Sequence, residues 1–141
     1  MSGLLVLDTS ALLRRYVADP QRPLVVEAMD RAEFWAASAV ARTELQLGLS
    51  NAATSQRSRD HLWSAVRDDW DALWEVPVDR RCLARATEIG AAFGLPLIDA
   101  IHLAAADRLP RPLRFATFER RLDNHPDFED SAALALAAAL P

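Results

Sequence analysis

Leu4-Leu5-Val6-Leu7-Asp8-Thr9-Ser10 is the stretch whose reading decides the fold. Four consecutive apolar residues make a short run with no polar face, which suits a strand buried on both sides of a sheet. Asp8 ends the run. Thr9 or Ser10 can cap a helix through Ala11-Leu12-Leu13-Arg14-Arg15-Tyr16. A buried strand running into a capped helix is the opening of a strand–helix–strand unit, and the next question is whether the unit repeats.

It does. Asp19-Pro20 breaks the first helix, and Pro23 suits the opening of a second through about Arg31. Phe34-Trp35-Ala36-Ala37 reads as a second strand, and Ser38 caps a helix from about Ala39 to Leu49. Asn51 to Leu73 has a helical pattern, with Leu62, Trp63, Val66 and Trp70 at helical spacing. Trp74-Glu75-Val76 is a third strand. Asp79 caps a helix from Arg80 to Phe93, which Gly94 stops. Asp99 to Ala106 is a compact apolar helix, and Leu113-Arg114-Phe115-Ala116 is a fourth strand. Asp130 to Leu136 carries a last helical pattern. Strands alternating with helices predict an α/β fold: a three-layer α/β/α sandwich around a central, mostly parallel sheet. The 141 residues fit one domain, 1–141, with no repeat and no linker.

In open α/β sheets, ligands bind beyond the carboxyl ends of the strands. Asp8 stands at one such end, and Glu119 stands just past another. Taken alone, Asp8 could be a helix cap, and Glu119 could sit in a first helical turn where the dipole favours anions. Glu44 shares its helical face with Val40, Ala41, Leu47 and Gly48, so its carboxylate is expected along an apolar stripe. A charge there needs a partner or a metal. Asp99 heads a segment apolar all round, either as a cap or as a ligand presented into a cleft. Four carboxylates without a cysteine or histidine cluster form a hard, all-oxygen donor set, suited to Mg²⁺ or Mn²⁺ rather than zinc or copper.

Composition narrows the alternatives. All sixteen basic residues are arginine. Schiff-base, P-loop and protein-kinase chemistry therefore lack their lysine. The net charge of −4 does not favour general nucleic-acid affinity. From Asp79 to Arg121, however, eight arginines face five acids, a local balance of +3, compatible with gripping a phosphate backbone or with an ordinary solvated face. Cys82 is alone, so no internal disulfide forms. Its neighbours Arg80, Arg81 and Arg85 could activate the thiol, or it is a small packing residue. No segment has the length and apolarity of a membrane span, and the N-terminus does not read as a signal peptide, so a cytoplasmic protein is expected. His61, His102 and His125 read as packing or surface residues, although His102 lies one turn from Asp99. Trp63, Trp70 and Trp74 fit core or dimer packing. Arg14 and Arg15 could contact RNA or an acidic partner segment, or be surface charge.

The segments around the four acids resemble the PIN-domain nucleases. Leu5-Val6-Leu7-Asp8-Thr9-Ser10-Ala11-Leu12-Leu13 is similar to their opening motif, and Ala41-Arg42-Thr43-Glu44-Leu45 to their second. Leu95-Pro96-Leu97-Ile98-Asp99-Ala100-Ile101-His102-Leu103-Ala104-Ala105 is similar to the third, and Phe115-Ala116-Thr117-Phe118-Glu119-Arg120-Arg121-Leu122 to the fourth. The size and helix content look most like the VapC toxins of VapBC toxin–antitoxin pairs. The resemblance implies a PIN fold and an Mg²⁺- or Mn²⁺-dependent endoribonuclease. It implies metal ligation chiefly by Asp8 and Asp99, completed by Glu44 and the fourth acid. Thr9, Ser10 and Thr117 match small polar positions of the family's cleft. An RNA substrate, a cognate antitoxin and a homodimer are the implied partners. The fourth motif usually carries aspartate where this chain has Glu119, and Asp123 is an alternative fourth acid. That departure keeps a second reading open: a catalytically degenerate PIN-fold module that binds RNA or protein. A phosphotransfer domain with Asp8 as nucleophile is disfavoured by the missing lysine and by the lack of a second acid at Thr9 or Ser10.

Overall fold

The computed structural model describes residues 3–119 and Leu122. Four strands, β1 (Leu4–Leu7), β2 (Phe34–Ser38), β3 (Leu73–Val76) and β4 (Leu113–Ala116), form one sheet in the order β3-β2-β1-β4. Every pairing is parallel, with Leu5 opposite both Trp35 and Arg114. Six helices connect them: α1 (Thr9–Tyr16), α2 (Arg22–Arg31), α3 (Ala39–Ala52), α4 (Gln56–Trp70), α5 (Arg80–Phe93) and α6 (Leu97–Asp107).

Strand side chains alternate between faces, and this splits the core in two. Leu5, Leu7, Ala37, Leu73 and Ala116 meet buried residues of α1 to α4. Val6, Ala36, Val76, Leu113 and Phe115 meet α5 and α6. The expected three-layer α/β/α sandwich is therefore the observed one, with a sheet that is wholly parallel. The connections out of β1 and β2 run over one face, and the connection from β3 to β4 runs over the other. Their direction reverses between β1 and β4, which is where a parallel sheet opens a crevice for a ligand.

Local signals explain the element ends. Asp8, Ser38, Ser55 and Asp79 each accept a hydrogen bond from a backbone N–H of the helix they precede. Asp8, rather than Thr9 or Ser10, is thus the cap of α1, and Thr9 and Ser10 are its first helical residues. The helical pattern read over Asn51–Leu73 divides: Ala53 is extended, Ser55 caps α4, and β3 begins at Leu73. Gly94 ends α5 in the left-handed conformation at φ 65°. Gly48 lets α3 lie close to α1, since a Cβ there would sit 3.3 Å from Leu13 Cδ1. Both helices carry cleft residues, so this close approach bears on the site. Among the described residues no single helix is long and apolar enough to cross a membrane. The expected C-terminal helix, Asp130 to Leu136, and Asp123 lie outside the described residues.

Candidate active site

Asp8 sits at the carboxyl end of β1 and is buried. Its Oδ1 accepts from Ser10 Oγ at 2.6 Å and from the Ala11 N–H at 3.0 Å. Its Oδ2 accepts a short hydrogen bond from the Thr117 hydroxyl. Burial pushes the Asp8 carboxyl above the usual carboxylate range, even though the nearby His102 and these hydrogen bonds pull it down. Both threads of the crevice are tied through it. Thr117 Oγ1 also accepts from the Glu119 N–H at 2.9 Å, and Ser10 Oγ accepts from the Phe118 N–H at 2.8 Å.

Glu44 projects from α3. The stripe of α3 that is sealed from solvent runs through Ala41, Leu45 and Leu49, and Leu47 is exposed. Glu44 is at the edge of that stripe, with its side chain 35% exposed. The expectation of a charge pointing along an apolar stripe is thereby corrected: i, i+3 and i+4 neighbours mark a face, but the sheet covers only part of it. Glu44 Oε1 accepts from Thr9 Oγ1 and lies 3.1 Å from His102 Nε2. The hydrogen bond from His102, helped by Thr9, holds the Glu44 carboxyl below its ordinary range against the opposing effect of burial.

His102 is where reading the residues fell short. It is buried on α6, with Nδ1 3.0 Å from Ser38 Oγ and Nε2 within reach of both Glu44 and Thr9. It does pack in the core, as expected, but it also joins the ends of β2, α1 and α3 at the cleft. The signal that could have found it is its spacing: His102 is three residues past Asp99 on the same helix face. Asp99 is buried in the first turn of α6 and is not its cap. The helix starts earlier, at Leu97, after Pro96, which supplies no side-chain cap.

Asp8, Glu44, Asp99 and Glu119 all line one cleft of about 490 Å³. The four acids come from the ends of β1 and β4 and from α3 and α6. Among the described residues, no three His, Cys, Asp or Glu side chains close into a preformed metal cage. The donors are nevertheless carboxylate oxygens, and two of the four acids, Asp8 and Asp99, are buried. Mg²⁺ keeps several waters and is commonly held through only one or two protein carboxylates, so the donor set fits such an ion without a closed cage.

The remaining candidates have other roles. Arg15 is 2.9 Å from Asp69, which also accepts from the Tyr16 hydroxyl at 2.7 Å, so Arg15 locks α1 to α4. Trp70 is buried in the core and Trp63 packs against it, whereas Trp74 is exposed. Cys82 is buried, and burial pushes its thiol up, so it is a packing residue rather than an activated one.

A solved structure described as a toxin–antitoxin complex from Klebsiella pneumoniae is similar in fold. It has a TM-score of 0.64 at 19% identity, over 82% of this chain and 86% of that one. No curated protein matches the chain by sequence. The PIN domain family model matches residues 5–127, which takes in all four acids and both ends of the crevice. The chain belongs to the PIN domain family, whose members are generally nucleases.

Proposed function

We propose that this protein is a divalent-metal-dependent endoribonuclease of the toxin type, restrained by a cognate antitoxin. The observation that carries the reading is the convergence of Asp8, Glu44, Asp99 and Glu119 on one cleft at the sheet's crevice. Asp8 and Asp99 would hold Mg²⁺ or Mn²⁺, with Glu44 and Glu119 completing the set. The ion would supply an activated water and neutralise charge on the phosphodiester. The chain's own residues prepare that site. Ser10, Thr117 and the Ala11 N–H fix the rotamer of Asp8. Thr9 and His102 fix Glu44 in its ionised form, able to accept a hydrogen bond from water or to attract a cation.

Three finer expectations accompany this reading. The toxin and antitoxin roles are supported by the likeness to a structure of that description. Self-association is supported by Phe34 and Trp74, which lie on one face of neighbouring strands and are 61% and 60% exposed. A cytoplasmic location suits a nuclease acting on cellular RNA. Sedimentation velocity checks the second of these, and a monomer at all concentrations would remove it. The test of the activity is cleavage of single-stranded RNA with Mn²⁺, with EDTA, and with Asp8→Asn. Cleavage unaffected by both chelation and substitution would end the reading.

Glutamate at position 119, where the family's fourth motif usually carries aspartate, favours a second reading. This is a degenerate PIN module that binds RNA or protein without cutting. Calorimetric titration with Mn²⁺ separates the two, since a dead site shows no heat that depends on Asp8.

A further inference from the structure

The cleft that holds four carboxylates has one arginine among its described lining residues, Arg14 on α1. A polyanionic substrate approaching four acids meets strong repulsion, and a bound ion offsets it at one point only. A fixed cation on the wall is therefore placed where a backbone phosphate needs one. Arg14 is also pre-organised. Its guanidinium carbon lies 4.1 Å from the centroid of the Phe118 ring, and Nη1 donates to the Ser10 carbonyl at 2.8 Å. Its Nε forms an ion pair with Asp19 Oδ1 at 3.5 Å, too loosely set to count as a hydrogen bond, and among the described residues this buried nitrogen has no hydrogen-bond partner. An arginine present only to pin α1 would use its fork fully, as Arg15 does with two contacts to Asp69. Among the described residues, Arg14 makes a hydrogen bond through Nη1 and none through Nη2.

We infer that Arg14 binds a non-bridging oxygen of an RNA backbone phosphate and so sets the strand's path into the cleft. The inference rests on the nuclease reading and deepens it. Stacking on Phe118 restricts the guanidinium before RNA arrives, so less freedom is lost on binding. Because Phe118 immediately follows Thr117, which holds Asp8, the cation and the candidate ligand are positioned by the same turn. A second arginine-lined cleft, formed by Arg81, Arg85, Asp107 and Arg108, is a weaker candidate. There Arg85 pairs with Asp107, and Arg108 pairs with Asp79.

The test is fluorescence anisotropy of a labelled single-stranded RNA oligonucleotide with the full chain in EDTA, between about 50 and about 200 mM salt. Four proteins are compared: the unaltered chain, Arg14→Gln, Arg14→Lys and Arg81→Gln. Arg14→Gln is expected to weaken binding about tenfold and to flatten the slope of log affinity against log salt by about 0.7. Arg14→Lys keeps the slope but loses part of the affinity, because the charge survives and the fork does not. A purely structural role would not move the salt slope, and Arg14→Lys serves if the glutamine variant fails to fold. The inference is overturned if Arg14→Gln binds like the unaltered chain, or if Arg81→Gln loses as much. An Arg14 that serves an acidic protein segment instead would also leave RNA binding unchanged and overturn it. If the unaltered chain cleaves RNA with Mn²⁺ while the Arg14 variants bind normally, only Arg14's role falls. If it neither binds nor cleaves, the nuclease reading falls with it.

Discussion

Thr117, at the end of β4, donates its hydroxyl to the carboxylate of Asp8, at the end of β1, across 109 residues of sequence. The same oxygen accepts from the Glu119 N–H. One side chain thus fixes a buried acid and the backbone entry to a second. A group that orients a ligand in this way typically contributes 10–100-fold to metal affinity. Thr117→Val is expected to weaken Mn²⁺ binding about 10–100-fold by calorimetry, with only about 1 kcal/mol lost in unfolding. Unchanged Mn²⁺ affinity would show that Asp8 needs no such support.

Asp8 is held at a cost to stability. Its folded pKa is raised by burial, so the native state keeps the proton more tightly than the unfolded chain does. Stability from this group is present below the unfolded value, and it is lost as pH rises through the folded one. Above that folded value the ionised carboxylate is therefore a burden. Asp8→Asn is expected to melt about 2–4 °C higher at pH 7, a gain of about 1 kcal/mol, while RNA cleavage is lost. Scanning calorimetry at pH 7 checks this, and a lower melting temperature would mean that the hydrogen bonds outweigh the burial of charge.

Glu44 has the opposite sign. His102 and Thr9 lower its folded pKa below the ordinary 4.5, so its stabilising effect is present above that value and lost as pH falls through the folded pKa. His102→Phe removes the main cause. This variant is expected to lose about 1–3 kcal/mol, because Ser38 and Glu44 lose a buried partner, and to show a flatter acid limb of the stability curve. An acid limb identical to that of the unaltered chain would contradict the pairing.

Asp69 accepts from both Arg15 and Tyr16, and burial together with this carboxylate pushes the Tyr16 phenol up. Asp69→Ala strands a half-buried guanidinium and a phenol between α1 and α4. It is expected to cost about 1–3 kcal/mol in urea unfolding, with the same cleavage rate per folded molecule, since Asp69 does not line the cleft. A specific loss of activity would show that the tie between α1 and α4 reaches the site.

Gly94 adopts φ 65°, with nothing within 4 Å of the position a Cβ would take. The cost of Gly94→Ala is therefore conformational rather than steric. It is expected to be about 1 kcal/mol, read as a lower urea midpoint at an unchanged slope. No loss at all would mean that the turn after α5 relaxes freely.

What the sequence determined is local. Apolar runs of strand length, side-chain caps at Ser38 and Asp79, and Gly94 after α5 located most elements within a few residues. These signals act over one turn of chain, and their alternation implied a parallel sheet covered on both faces. The break between α3 and α4 was read near Ser50, a few residues before its place at Ala53–Ser55, because helical spacing continues through Ala52. What only the tertiary structure decided is company. The reversal of connection between β1 and β4 set Asp8 beside Thr117. The approach of α3 and α6 from opposite faces at the carboxyl end of the sheet set Glu44 against His102, and α4 gave Arg15 its partner while leaving Arg14 at the cleft. Periodicity along a helix says which residues share a face. It does not say how far neighbouring elements cover that face, and that coverage decides whether a charge is paired, buried or left open to a ligand.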